Sequence, residues 1–322
     1  MPKVKKLSKS ETLNRLLSFS SVAVLIHRSP DGDALGSGAA LCLFLRRAGV
    51  DATLLSPDPI PPRLAFLCEG VPLCKEESPA YIVTVDVASL SQCGRLAPAV
   101  LAASEVLSID HHALSVPFAP HYTVGKASAA AEVLFDLFKS AKRPIDKAIA
   151  TRLYAAVSSD TGCFRFANVT PKTHAIAASL LKTGVDGATI NHLLFETKEE
   201  GVLRAEAYTA TNARQFFEGR FSLLSLSLAD CRAIGCTEED FNGAIDILRS
   251  RRGVEIAALL RERGDGTLRL SLRSTGADVA ALCALFGGGG HRRAAGCTMP
   301  FSDLVSAEEA LLLRAEEAFF KA

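Results

Sequence analysis

The chain contains no tryptophan, and aromatic side chains make up only 7% of its 322 residues. That scarcity argues against the aromatic tracks by which proteins follow long single strands. An excess of one charge sign is also missing, because the formal net charge is +1. Such a chain is no polycation for long duplex nucleic acid, although a local site for a small anion stays open. No window approaches the ~20 apolar residues of a membrane span. The basic start MPKVKKLSKSETLNRLL lacks a signal-type apolar stretch. The nine cysteines are odd in number, and no two are spaced C-x-x-C. This argues against a disulfide framework and a zinc ribbon, and favours a reducing, cytoplasmic setting. Neither an internal repeat nor a low-complexity segment is visible.

What is present is an apolar content of 48%, ample for real cores, in a chain long enough for two domains. The first part alternates strands and helices. Ser10 or Thr12 is expected to cap a short helix carrying Leu13, Leu16 and Leu17. Strands are expected at 22–26, 52–56, 81–85 and 105–109, and helices at 36–48, 127–140 and 145–158. Continuous apolar strands between helices imply an α/β fold: a mostly parallel sheet with helices on both faces. A polar helical stretch over 187–212 reads as a connector. Beyond it, strands are expected at 220–228, 254–261 and 268–273, the last two joined by Gly264-Asp265-Gly266 as a hairpin. A helix over 277–286 runs into GGGGHRRAAG, and another closes the chain over 307–320. The expected organisation is a catalytic domain over 1–190, a connector over 191–214 and a smaller α/β domain over 215–322.

The chemistry-bearing residues follow the expected strands. His27, Asp31 and Asp33 lie in HRSPDGDALGSG after the first. Asp86 ends YIVTVD, and Asp110, His111 and His112 end VLSIDHH. Asp160 closes a helix pattern in SSDTG. In open parallel sheets ligands bind beyond the carboxyl ends of the strands. One aspartate after a strand is usually a turn former or helix cap; four such clusters at element ends are harder to dismiss. Asp31-Gly32-Asp33 is not a calcium loop, because Leu35 and Cys42 occupy two positions that need oxygen ligands. Carboxylates packed together repel unless cations neutralise them. Aspartates with imidazoles and no thiolate suit two divalent ions such as manganese, magnesium, cobalt or iron, in phosphoryl chemistry.

The four motifs HRSPDGDALGSG, VDVAS, IDHH and SSDTG resemble those of the DHH phosphoesterase superfamily, and GGGGHRRAAG resembles the signature of its associated C-terminal domain. TGCFRFANVT is similar to a stretch of the nano-RNase and phosphoadenosine-phosphate phosphatase branch. The resemblance covers nearly the whole chain. It implies that His27, Asp31 and Asp86 hold one manganese, and that Asp33, Asp86, His111 and Asp160 hold the other. It further implies that His112 touches the scissile phosphate and that Asp110 orients the neighbouring histidines. Ser29 stands where many members have Asn. A homodimer is a further implication.

GGGGHRR lacks the Lys-Ser/Thr of the nucleotide-triphosphatase loop, but Gly287, Gly288, Gly289 and Gly290 could let backbone N–H groups approach an anion. By the same resemblance, Arg273, Ser274, the glycine loop and His291 grip the far end of a short nucleotide. Arg165 meets either substrate or neighbouring backbone. His121, His174 and His192 read as solvated or capping, and Cys163 has no base near it in sequence. The expected activity is metal-dependent hydrolysis of short RNA or dinucleotides, extending to 3′-phosphoadenosine 5′-phosphate. The alternatives are polyphosphate or pyrophosphate hydrolysis at the same site, and a non-catalytic nucleotide-binding protein.

Overall fold

The structure, a computed structural model, describes residues 4–76 and 78–321. The chain divides into two compact units, one ending at Thr197 and the other beginning at Lys198.

The first unit holds five parallel strands, β1 (Ser21–Leu25), β2 (Asp51–Leu55), β3 (Tyr81–Val85), β4 (Glu105–Asp110) and β5 (His121–Thr123), in the order β2-β1-β3-β4-β5. The chain leaves β1 toward β2 on one side and returns to β3 on the other. The carboxyl ends of β1 and β3 therefore flank the point where the winding reverses, the usual place for a ligand in such sheets. The helices are α1 (Lys9–Ser18), α2 (Gly32–Arg47), α3 (Ala97–Ala102), α4 (Ala130–Ser140), α5 (Lys147–Asp160), α6 (Pro171–Leu181) and α7 (Gly187–Asn191). Ser8, not Ser10 or Thr12, caps α1, in a reciprocal pair with Glu11.

Helix α2 starts at Gly32, four residues earlier than the sequence suggests. It is buried from Gly32 to Leu45, so no amphipathic stripe marks its start. Its small residues have a packing reason. A Cβ on Gly36 would fall 2.6 Å from the Arg152 carbonyl oxygen of α5, and one on Gly32 would fall 2.4 Å from Ser159 Oγ. Glycine thus lets α2 and α5 approach closely enough to bring Asp33 and Asp160 to one place. Helix α6 has no counterpart among the elements expected from the sequence. The stretch over 187–212 is also not one helix: α7 passes into a π turn over His192–Glu196, and α8 (Glu200–Asn212) begins only in the second unit.

In the second unit, α8 belongs to the core and is no free connector, for Ala205 is fully buried there and Tyr208 packs edge-on against Phe241. The sheet contains β6 (Arg214–Phe216), β7 (Phe221–Leu226), β8 (Ile256–Glu262), β9 (Leu268–Ser274), β10 (Gly289–His291) and β11 (Ala294–Met299). Their order is β10-β11-β9-β8-β7-β6, antiparallel except between β7 and β8. Helices α9 (Leu228–Ile234), α10 (Ala244–Ser250), α11 (Val279–Ala284) and α12 (Leu304–Ala315) complete the unit. Alternate residues of β8 feed two cores: Ile256, Ala258 and Leu260 one, Ala257 and Leu259 the other. Among the described residues no helix is long and apolar enough to cross a membrane.

Candidate active site

The six expected metal ligands meet at the carboxyl edge of the first sheet. Asp31 caps α2, its Oδ1 accepting from the N–H groups of Asp33 and Ala34, both at 3.0 Å. Asp33, in the first turn of α2, accepts from Ser37 Oγ (2.7 Å) and from the backbone N–H groups of Ala130 (2.6 Å) and Ala131 (3.2 Å). Helix α4 has no side-chain cap of its own. An acid almost a hundred residues upstream does that work.

Asp86 follows β3 with φ +60, a conformation that Asp and Asn adopt more readily than most residues. It is 3% exposed. His27 Nε2 lies 3.7 Å from Asp31 Oδ1 and 3.6 Å from Asp86 Oδ2. His111 Nε2 lies 3.3 Å from Asp86 Oδ1 and 3.7 Å from both Asp33 Oδ2 and Asp160 Oδ2. Asp86 Oδ1 is nevertheless buried without a hydrogen-bond partner. Donors that crowd a common space without bonding to one another are what a cation site requires. Among the described residues three groups have ligand atoms mutually within 4.8 Å: His27, Asp31 and Asp86; Asp33, His111 and Asp160; and Asp86, His111 and His112. Oxygen and imidazole donors without thiolate suit a hard or borderline divalent ion.

Backbone carbonyls orient two of the imidazoles. His27 Nδ1 faces the Arg28 carbonyl at 2.7 Å, and His111 Nδ1 faces the Ala127 carbonyl at 3.2 Å. In both rings this leaves Nε2 toward the acids. Asp110 therefore does not orient both histidines. Its Oδ1 is 2.7 Å from His112 Nδ1, and His111 depends on Ala127 instead. Sequence reading missed these carbonyls, since any residue supplies one. Ser29 sits at φ +52, and its N–H donates to Asp58 Oδ2 at 2.8 Å. Asn tolerates that conformation better than Ser, which gives a backbone reason for Asn at this place.

The charges are strongly coupled. Burial works against the charged form of His27, but contact with Asp31 and Asp86 holds its pKa up at about 11. Burial likewise opposes His111, and Asp86, Asp33 and Asp160 raise it to about 10. Burial pushes Asp86 upward, yet His111 and His27 more than reverse this and hold it well below the usual carboxylate range. Burial, then the neighbouring Asp86 and Asp160, raise Asp33. Burial is also the main reason that Asp160 rises to about 6. Contact with Asp110 raises His112.

An imidazole must lose its proton to become a ligand. His27 and His111 keep theirs below about pH 10, so cation uptake near pH 8 is expected to release about two protons, and apparent affinity should climb as pH rises. Calorimetry in buffers of different ionisation enthalpy counts those protons. Release of none would show that neither imidazole is protonated before the cation arrives.

The remaining expected residues divide. Arg165 turns back on its own loop, its Nε donating to the Gly162 carbonyl at 2.6 Å. His174 stacks on Phe164, with ring centroids 5.5 Å apart, and His192 pairs with Glu196 at 3.0 Å. His121 is no cap: it lies in β5, partly exposed, with Nδ1 buried and without a partner among the described residues.

In the second unit, Arg273 pairs with Ala294 and Ala294 with His291, so Arg273 and His291 share one face of the sheet. Ser274, the next residue, points to the opposite face. It is buried, and its hydroxyl donates to the Ala277 carbonyl at 2.6 Å, closing the turn toward α11. The strand alternation thus corrects the expectation that Arg273 and Ser274 grip a ligand together. The glycine run is no simple anion loop either, because Gly289 and Gly290 belong to edge strand β10. A Cβ on Gly288 would fall 2.2 Å from that of Cys297, and one on Gly290 would fall 2.5 Å from the Ala294 carbonyl oxygen. Gly287 takes φ +76 past the end of α11. Only Gly289 has an ordinary φ and open space around it.

Residues 21–157 match the DHH family, N-terminal domain, and residues 225–319 match the DHHA1 domain. Over 94% of its length the chain is 32% identical to the bifunctional oligoribonuclease and PAP phosphatase NrnA of Thermus thermophilus, covering 91% of that protein. The chain belongs to the DHH family. A second relative under the same name, from Bacillus subtilis, is 24% identical over 90% of this DHH chain and 93% of its own. The DHH fold recurs in an exopolyphosphatase-related protein from Bacteroides fragilis, with TM-score 0.86 at 23% identity over 98% of this chain and 99% of that one. It recurs more distantly in the exonuclease RecJ bound to manganese, with TM-score 0.54 at 16% identity over 98% and 94%.

Proposed function

We propose that this DHH protein is a metal-dependent phosphoesterase that hydrolyses short oligoribonucleotides or dinucleotides to mononucleotides, and that it also takes 3′-phosphoadenosine 5′-phosphate. The observation that carries the chemistry is the meeting of Asp33, Asp86, His111 and Asp160, drawn from four places in the chain, around the unpartnered Asp86 Oδ1. The substrate class comes from the names of the relatives with which the chain aligns almost end to end.

In this proposal His27, Asp31 and Asp86 hold one divalent ion, and Asp33, Asp86, His111 and Asp160 hold the other. Manganese is preferred over magnesium or cobalt. Bound ions would supply positive charge against the phosphoryl group and acidify an attacking water. The chain's own part is to present the phosphate. His112, held at Nδ1 by Asp110, has Nε2 left for a phosphate oxygen. Asp110 raises its pKa and so favours the protonated form, which can steady the developing charge or pass a proton to the departing oxygen. Arg273 and His291, on one sheet face, are suited to a terminal phosphate. Arg273→Ala is expected to raise KM ten- to a hundredfold, about 1.5–3 kcal/mol of lost binding, with kcat little changed. An unaltered KM removes Arg273 from the site.

The deciding experiment is a panel of oligoribonucleotides of two to five residues, di-adenylate, phosphoadenosine phosphate, pyrophosphate and polyphosphate, with manganese supplied. Turnover of polyphosphate or pyrophosphate alone would replace the nucleotide assignment. Tight binding of dinucleotide without cleavage would make the protein a non-catalytic nucleotide binder.

A further inference from the structure

The proposed substrate carries nucleobases, and the first unit presents an aromatic ring suited to one. Phe166, six residues beyond Asp160, is 52% exposed. Its ring is not loose. A Cβ built on Gly162 would fall 2.3–2.6 Å from three of the ring carbons, so the ring lies directly against the Gly162 backbone. Glycine is required there twice over, since Gly162 also takes φ +56. Cys163 and Phe164 continue in the left-handed region, with φ +58 and +62. Such conformations cost energy for non-glycine residues and persist where the surroundings enforce them, often at functional sites.

The enforcing contacts are local. The N–H groups of Arg165 and Phe166 both donate to the Thr161 carbonyl, at 2.9 and 3.0 Å. Asn168 Nδ2 donates to the Asp160 and Ser128 carbonyls, both at 3.1 Å, and Ser128 Oγ returns a bond to the Asn168 carbonyl at 2.7 Å. The turn is thereby closed onto Asp160, whose carboxylate stands 3.7 Å from His111 Nε2. The result is an aromatic ring fixed by a strained turn against glycine, still half in water, on the turn that directly follows Asp160.

We propose that the free face of Phe166 stacks on a nucleobase of the substrate and so selects nucleotides over polyphosphate and pyrophosphate. The proposal rests on the phosphodiesterase assignment above and adds its specificity element. A stacking platform tolerates any base, because every base offers a π-face, which suits a trimmer of mixed short RNA.

The test compares an adenylyl dinucleotide with its two analogues in which one or the other base is replaced by hydrogen, in wild type and in Phe166→Ala, Phe166→Leu and Phe166→Tyr. Wild type should prefer the full dinucleotide over one analogue. In Phe166→Ala and Phe166→Leu that preference should fall about ten- to a hundredfold, through KM more than kcat, while Phe166→Tyr keeps it. Equal losses on all three substrates would assign Phe166 to the integrity of the turn and overturn the proposal. So would an unchanged preference, including one accompanied by a new elution volume on gel filtration, which would place the ring at a subunit contact. A wild-type protein that hydrolyses polyphosphate but no dinucleotide would overturn the phosphodiesterase assignment and the platform together. Activity on dinucleotides with no effect of Phe166→Leu would overturn the platform alone.

Discussion

Asp86→Asn is expected to lower kcat by about three orders of magnitude or more, which corresponds to about 4 kcal/mol of transition-state stabilisation. Asn is the informative substitution. It accepts the left-handed backbone at φ +60 and nearly preserves volume, so the turn after β3 should survive. What changes is the charge and one acceptor oxygen. Asp86 approaches both His27 and His111, and it belongs to two of the three donor groups. Among the described residues no other acid approaches both histidines, so its loss should weaken cation uptake at both and not merely shift a pKa. Circular dichroism unchanged from wild type, with metal titration weakened and turnover lost, is the expected pattern. Near-normal turnover would show that the ions, if bound, do not depend on this carboxylate.

Asp33 and Asp160 should separate structure from chemistry. Both replacements by Ala are expected to abolish activity, but they should move stability in opposite directions when metal is chelated. Asp33 is 1% exposed and satisfies two N–H groups at the start of α4 together with Ser37 Oγ. Its removal forfeits a helix cap and strands buried donors, roughly 3 kcal/mol, a loss expected to exceed the relief of the burial and acid crowding that raise its pKa. Asp160 ends α5, where the helix dipole disfavours a carboxylate, and burial raises its pKa to about 6. A carboxylate whose pKa is raised on folding destabilises the fold wherever it is ionised, and this penalty is fully present above pH 6. Its removal should therefore raise the chelated protein's stability at neutral pH, by about 1 kcal/mol. The midpoint of thermal or urea unfolding in EDTA reads both. A stabilised Asp33→Ala protein would show that acid crowding outweighs the cap, and a strongly destabilised Asp160→Ala protein would contradict the crowding of carboxylates.

The sequence by itself determined the parallel sheet, the bounds of β3 and the donor set at the strand ends. The reason is local. Brief runs rich in β-branched residues between helices read as buried strands, and charged residues just beyond them are confined to one edge of a parallel sheet. Tertiary structure alone decided what holds those donors. The Arg28 and Ala127 carbonyls aim the imidazoles, and a carbonyl carries no residue identity to read. Asp33 caps α4 from almost a hundred residues away, a pairing invisible to a local window. In the second unit the hairpin of β10 and β11 fixed which side chains share a face. Adjacent residues in a strand point apart, so Arg273 and Ser274, neighbours in sequence, are separated by the sheet itself. The platform under Phe166 is of the same kind, because only folding places its ring on Gly162.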